Sequence, residues 1–362
     1  MRAFVYHGPG DLRLEERPTP RPAPSEALLR VDACGVCGTD LRIAAGEHRA
    51  YPPGAVRAPG HEIAGAVVVA GPDTGLAEGT RAFVAPNIGC GRCPPCRAGR
   101  VNLCAHPQAL GITRDGGFAE YVLLPEPLIA QGNVLPTSLT DPGAVALVEP
   151  LACALRGARA LDIREGELVL IYGAGPIGLL FLRLARLRAA GTIVVVQRSP
   201  ERRALALTHG ADHAVDPATG DLRDLLHRLS DGRGADAVVV AVPSPEAQAE
   251  AVTLAAPGGR INLFGGLPKD RARVTFDANL IHYKELVVTG TTANTTADCR
   301  AALDLVEAGA VDTAALITHR YPLEQGAAAL DAARSGRALK VVLEPATGGG
   351  REEHDAGSTV YL

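Results

Sequence analysis

The chain has little lysine and no field of positive charge. Only three of its 36 basic residues are lysine, Lys269, Lys284 and Lys340, a skew that reads as a codon or lineage effect and carries no functional meaning. A formal net charge of −4 offers no basic surface to nucleic acid or an anionic membrane, and no aromatic-basic pattern accompanies it. A run of ~18 apolar residues flanked like a membrane span is missing too, because Gly, Pro or charge breaks the Ala, Leu and Val stretches. The N-terminal MRAFVYHGPGDLRL lacks the apolar core and small-residue cleavage site of a secretory signal. Cytoplasm is the expected compartment, one in which thiols stay reduced and free to hold a metal. No repeat with a period of about 20 to 50 residues is visible.

The 362 residues present are too many for one ordinary core and predict two domains. Before residue 150 or so, short Val-rich segments (ALLRVDAC, IAGAVVVAG, TRAFVA, AEYVLL) alternate with Gly and Pro, the pattern of a β-rich domain. Beyond it, ELVLIYGAG, TIVVVQR, ADAVVVAV and RINLFGG alternate with Ala/Leu/Arg-rich helical stretches. Such a βαβα series predicts a parallel sheet covered by helices. After residue 290, DCRAALDLVEAGAVD and GAAALDAARSG read as helices and LKVVLEP as a closing strand. The tail at 347–362 has little to bury and is expected to be disordered.

Cys90, Cys93, Cys96 and Cys104 fall in one Gly/Pro-rich stretch, GCGRCPPCRAGRVNLC. Zinc favours four tetrahedral ligands, and C-x2-C-x2-C wraps three thiolates round an ion before the chain returns with the fourth. An iron–sulfur cluster or disulfides use similar spacings. Four protein ligands leave no open position, so this lobe, residues 89–105, predicts a structural metal with the chemistry elsewhere.

In the second half, Gly173, Gly175 and Gly178 form G-x-G-x-x-G directly after the strand LVLIY and before a helix. Gly173 permits the tight turn, Gly175 the close approach of a pyrophosphate and Gly178 the packing of helix on sheet, with Pro176 and Ile177 opening the helix. Phosphate then lies at the positive end of that helix. The bland alternative is a plain structural turn. About 20 residues further on, where a carboxylate normally accepts hydrogen bonds from the ribose, stand Gln197 and Arg198, with Arg202 and Arg203 following. Losing the acid removes the repulsion of a 2′-phosphate, and Arg198 offers it a forked contact. NADP(H) is the expected cofactor; the alternative is NAD(H), with Gln197 on the bare ribose.

A second reactive cluster opens the chain. Cys34 and Cys37 sit in DACGVCGTD, and His61 and Glu62 in PGHEIAG. Cysteine, imidazole and carboxylate are all zinc ligands, and three of them leave a position for water or an alcohol. Spacing alone does not choose between Cys34 and Cys37, nor does it place Glu149 of ALVEPLAC near them.

These motifs in this order, CGVCGTD, GHEIAG, the four-cysteine lobe, GGFAEYV, VEPLA and GAGPIG, resemble the zinc-dependent branch of the medium-chain dehydrogenase/reductase family, which includes alcohol, threonine and sorbitol dehydrogenases. The resemblance spans residues 2 to 345 or so. It implies a GroES-like catalytic domain made from residues 1–152 and 293–346, with a Rossmann coenzyme domain, 153–292, inserted between. It assigns a catalytic zinc to Cys37 and His61, with Glu62 as a ligand and Glu149 near the ion or its water. Cys34 becomes a core residue. Two zinc ions per subunit follow, one catalytic and one structural, together with a homodimer or homotetramer.

The resemblance gives Thr39 the relay of the substrate proton, zinc the polarisation of the substrate oxygen, and nicotinamide the hydride. Its alternative is a turn-capping hydroxyl. Arg42 departs from the family pattern, because histidine commonly completes the relay three residues after that hydroxyl and a guanidinium cannot do its acid–base work. His48, ribose or water then becomes the exit. The segment RINLFGGLPKDRARVTFDANLIHYKELVVTG looks like polyol and sorbitol dehydrogenases, so the expected reaction is hydride transfer between NAD(P) and a secondary alcohol of a polyol, sugar alcohol or cyclitol. A threonine or simple secondary-alcohol dehydrogenase is the alternative. Tyr51 stands in the pocket or else in the core or on the surface, and His282, Tyr283 and Lys284 are assigned to domain or subunit contacts. A non-catalytic nucleotide-binding protein of the same fold is the remaining class, and the complete set of catalytic residues counts against it.

Overall fold

The computed structural model describes residues 1–345, so the expected disordered tail lies outside the described residues. The first domain is organised by one long strand, Ala27–Val36, whose small and β-branched residues are almost all buried. It pairs antiparallel with Glu62–Ala70 on one edge. Its other edge takes Tyr121–Leu124 at the start and Lys340–Glu344 at the end. Outward from these lie Arg81–Val84 and Val134–Pro136 on one side and Ile317–Pro322 on the other. Register decides what meets at the end of the long strand: Gly35 lies opposite both Glu62 and Val342, and Val36 opposite Val341. The residues at 37, 61–62 and 340 are thereby brought to one place from three distant parts of the chain.

Ile317–Pro322 is a strand that the sequence pattern does not announce. Its segment, ITHRYP, is polar and mostly exposed, and its extended form comes from parallel pairing with the apolar Lys340–Glu344. Tertiary pairing outweighs a weak local preference there.

The second domain is a six-stranded parallel sheet in the order His213–Val215, Thr192–Val196, Leu168–Tyr172, Ala235–Val240, Ala255–Leu263, Val287–Gly290. Leu168–Tyr172 is buried along its whole length, as a central strand covered by helices on both faces must be. Strand order reverses beside it, and ligands of such sheets bind at the carboxyl ends of the strands at that reversal. The crossover helices start on ordinary signals: Ser199 and Ser244 accept the N–H groups of Arg202 and Ala247, and Pro176, Pro200 and Pro245 open their helices.

The helix Val148–Leu161 joins the two units. It packs on Pro176–Leu187 and on Thr296–Glu307, and one continuous apolar core runs through it from Phe83 and Leu135 of the first domain to Val169, Leu179 and Phe181 of the second. Each fully buried Leu such as Leu151 contributes roughly 1.5–3 kcal/mol by leaving water. Because its first turn carries Glu149, this packing fixes a carboxylate at the seam. No helix among the described residues is long and apolar enough to cross a membrane.

Candidate active site

Cys37 caps the short helix Gly38–Ala44, and Asp40 returns its carboxylate to the Cys37 N–H at 2.8 Å. The same carboxylate, fully buried, accepts the Gly60 N–H at 3.3 Å and stands 3.7 Å from His61 Nδ1. Asp40 therefore braces both ligand-bearing loops at once. The donor atoms of Cys37, His61 and Glu62 lie within 4.8 Å of one another. His61 turns Nδ1 toward Asp40, and Glu62 carries a charge that Lys340 faces from one side. A converging set of one sulfur, one imidazole and one carboxylate suits a soft-to-borderline cation such as zinc, which takes S, N and O donors.

Glu62 is held from behind by Lys340, whose Nζ lies 2.6 Å from its carboxylate and also donates to Val36 O at 2.9 Å. Both side chains are buried. Burial opposes the charge on Lys340, but the Glu62 carboxylate and Cys37 outweigh it and raise the ammonium above its ordinary value. Gly35 has no side chain for a packing reason, since a Cβ there would sit 1.9 Å from Glu62 Oε2. Burial works against protonation of His61, yet Asp40 and Cys37 together hold the imidazole well above its usual range.

Glu149 lies outside that group of three but is buried nearby. Burial pushes its carboxyl up, the charge of His61 pulls it down and that of Glu62 pushes it up again. Thr39 is half-buried on the first turn of the same short helix, and Arg42 Nη2 approaches its hydroxyl at 3.4 Å. Cys34 is fully buried in the core of the β-rich domain, its sulfur turned toward Gly60 and Gly117. Tyr51 is a core residue: its hydroxyl donates to Gly111 O at 2.9 Å and its ring packs edge-on against Tyr6 and beneath Arg57. His48 is half-buried beside it, its pKa lowered by burial and by Arg42 and Arg49.

The four remaining sulfurs of the lobe, Cys90, Cys93, Cys96 and Cys104, also converge within 4.8 Å, and no disulfide joins them. A one-turn helix opened by two prolines, Pro94–Arg97, starts at Cys93 and carries Cys96. Cys104 Sγ accepts the backbone N–H groups of Cys90 and His106, and those of Ala105 and Cys96 draw the Cys93 thiol down to about 6. Backbone donors aimed at sulfur stabilise thiolates, the form that binds metal.

At the sheet reversal, Gly173 has φ +102, and a Cβ at Gly178 would strike Gly173 O at 1.9 Å. Gly175, by contrast, faces open space: the nearest atom to a Cβ there is Arg202 Nη1 at 3.8 Å. The two crowded glycines shape the turn, and the uncrowded one leaves room for an incoming phosphate before Pro176 and Ile177 start the helix. Gln197 Oε1 accepts the Ser199 N–H. Arg203 is tied to Gln197 O, Arg198 O and Asp216. Arg202 spends its donors on Ala174 O, Gly336 O and Ala338 O, bridging to the segment that leads into Lys340. Arg198 is exposed, and its side chain makes no hydrogen bond among the described residues, which leaves its fork available.

Fold and site together define an NAD(P)-dependent oxidoreductase with two candidate metal-binding clusters. Residues 176–308 match the family described as zinc-binding dehydrogenase, and residues 23–134 the alcohol dehydrogenase GroES-like domain. A sorbitol dehydrogenase of Halalkalibacterium halodurans is 33% identical over 95% of this chain and 99% of its own. An L-threonine 3-dehydrogenase of Saccharopolyspora erythraea is 34% identical over 95% and 99%. Among solved structures, a zinc-binding dehydrogenase of Sinorhizobium meliloti bound to NADP superposes with a TM-score of 0.88 at 37% identity, covering 95% of this chain and 99% of the other. The chain belongs to the zinc-binding medium-chain dehydrogenase/reductase family, the alcohol dehydrogenase family, and acts on an alcohol or ketone.

Three residues of this site escape a reading of the sequence. Asp40 reads in sequence only as a partner of Thr39 in capping the turn, not as a brace for two ligand loops, and Asn294, hydrogen-bonded to Glu149, carries no spacing signal. Lys340 was visible as a lone lysine in the apolar strand LKVVLEP, a placement that burial alone would forbid without a partner.

Proposed function

We propose that this enzyme is a zinc-dependent dehydrogenase that oxidises a secondary hydroxyl of a polyol, sugar alcohol or cyclitol, reducing the ketone in reverse, with NADP(H) as its preferred cofactor. The observation that carries the reading is a donor set of one thiolate, one imidazole and a carboxylate, Cys37, His61 and Glu62, with a second carboxylate, Glu149, beside it. Cys37, His61 and Glu62 would hold the catalytic ion, and the four-cysteine lobe a structural one. The ion supplies Lewis acidity and the nicotinamide takes or gives hydride.

The chain's own residues do the rest. Asp40, on the Nδ1 side of His61, favours the tautomer that leaves Nε2 for the metal. Lys340 offsets one of the negative charges that would otherwise crowd the site. Thr39 both accepts and donates, so its hydroxyl takes the substrate proton and passes it outward. Arg42, next to it, stays charged and cannot carry that proton, which leaves water or His48 as the outlet. Gly173, Gly175, Pro176, Ile177 and Gly178 form the pyrophosphate turn, with Arg202 at its border. Gln197 and Arg198 replace the carboxylate that would repel a 2′-phosphate, and the NADP-bound relative supports this choice. A subunit working in the cytoplasm as a homodimer or homotetramer fits the exposed edge strand Val287–Gly290 and the 79% exposed Tyr283.

The substrate reading is supported by the sorbitol dehydrogenase relative and by an erythritol/L-threitol dehydrogenase of Mycolicibacterium smegmatis, 32% identical. Relatives that act on L-threonine, at 34% identity, favour the second reading, a threonine dehydrogenase. A panel of sorbitol, xylitol, galactitol, inositols, threonine, butanediol and simple alcohols, run with both cofactors, decides between them. Turnover confined to threonine or to primary alcohols would refute the polyol assignment.

A further inference from the structure

We propose that Asn294 is a positioning residue for Glu149, holding one carboxylate oxygen so that only the other serves the catalytic metal. Asn294 is fully buried and follows Ala293, which has φ +52, a left-handed conformation unusual for a residue with a side chain. The turn so made points the amide at the first turn of Val148–Leu161. Its Nδ2 donates to Glu149 Oε1 at 2.6 Å and approaches Cys153 Sγ at 3.2 Å and Glu149 O at 3.3 Å. Cys153 Sγ also donates to Glu149 Oε1, at 3.5 Å. Two donors occupy that oxygen, no hydrogen bond among the described residues reaches Oε2, and this second oxygen is assigned to the metal.

The amide has only one orientation that works, because a carbonyl oxygen turned toward a carboxylate would repel it. The far side of Asn294 secures this orientation. Asn87 Nδ2 donates to Asn294 Oδ1 at 2.9 Å and to its backbone oxygen at 3.2 Å. Asn87 O in turn accepts Asn133 Nδ2 at 2.7 Å, and Thr296 Oγ1 donates to Asn133 Oδ1 at 2.5 Å. A partly buried amide chain thus runs from Glu149 to the strand Asn87–Ile88, which leads directly into Gly89 and Cys90 of the four-cysteine lobe. Fully satisfied buried networks fix geometry, and one missing member strands its neighbours. The lobe is thereby the anchor at the far end of the carboxylate's support.

This inference rests on the reading of Glu149 as part of the catalytic metal site. The test is a cycle of Asn294→Ala, Glu149→Ala and the double variant, each loaded with zinc and read by the rate at which a chelator removes the catalytic ion, with total metal by elemental analysis. Asn294→Ala should speed release by ~10-fold, the usual consequence of losing an outer partner of a ligand, while the second ion stays bound. On the Glu149→Ala background the same substitution should change release less than about twofold. The cobalt-loaded enzyme should show a shifted visible d–d band in Asn294→Ala, which general loosening would not produce. Equal acceleration in both backgrounds, or none in either, overturns the positioning role. Unchanged metal release and unchanged turnover in Glu149→Ala would instead refute the placement of Glu149 in the site. Should Asn294→Ala fail to fold, Asn87→Ser removes the donor to Asn294 Oδ1 and to its backbone oxygen while leaving the Asn294 side chain in place, and enters the same cycle, where a smaller acceleration must again disappear without Glu149.

Discussion

Lys340 Nζ lies 2.6 Å from the carboxylate of Glu62, and neither side chain is more than 4% exposed. The pair joins the last strand of the described chain to the strand that follows the histidine ligand, across 278 positions of sequence. A buried ion pair adds little stability compared with an apolar pair, but losing one partner strands a charge.

Lys340→Met should therefore destabilise the protein by about 3–5 kcal/mol in chemical denaturation, most of it the cost of an unpaired Glu62. Lys340→Met with Glu62→Gln should recover much of that loss. Equal stability of Lys340→Met and the parent would show the pair to be solvated.

The two cysteine clusters should fail in different ways. Cys37→Ser is expected to lower metal content from two zinc ions to one per subunit and to reduce turnover by about a thousandfold, with the fold kept. Cys104→Ser should also lose one ion but lower stability by about 3–5 kcal/mol. Elemental analysis beside thermal unfolding separates the outcomes, and one ion or none in the fully loaded parent would sink the two-zinc reading.

Arg198→Ala should reduce kcat/KM for NADP(H) by ~10- to 100-fold, the loss of a charge-assisted contact, and leave NAD(H) unchanged. Arg202→Ala, whose partners are backbone carbonyls, should harm stability and both cofactors together. A parent that strongly prefers NAD(H) would reverse the cofactor assignment.

Asp141 supplies a pH dependence. Burial would raise its carboxyl, but the Arg320 guanidinium and the N–H groups of Gly143 and Ala144 outweigh it and hold the folded value below the ordinary one. A depressed value gives stability that is full above the unfolded pKa of ~3.9 and is lost as pH falls through the folded value. Since the pair is over a third exposed, the contribution is only about 0.5–1 kcal/mol. Asp141→Asn should show that deficit at pH 7 and lose it as pH falls through the folded value, where the carboxyl is protonated in the folded and the unfolded chain alike. A deficit independent of pH would assign the effect to capping alone.

The sequence by itself determined the elements that act locally. Hydrophobic runs broken by Gly and Pro predict the β-rich domain. The βαβα alternation predicts the parallel sheet, and the four cysteines and the G-x-G-x-x-G turn declare their sites because their partners lie within a few residues. Spacing could not choose between Cys34 and Cys37, which are three residues apart. Only the tertiary structure decided that, by burying Cys34 against Gly60 and Gly117 and setting Cys37 beside His61. The same holds for Lys340, Asn294 and the strand Ile317–Pro322, whose roles come from strand register and helix packing between distant segments. A buried ammonium or amide has meaning only with its partner, and a single chain read in order does not show which residue three hundred positions away will be that partner.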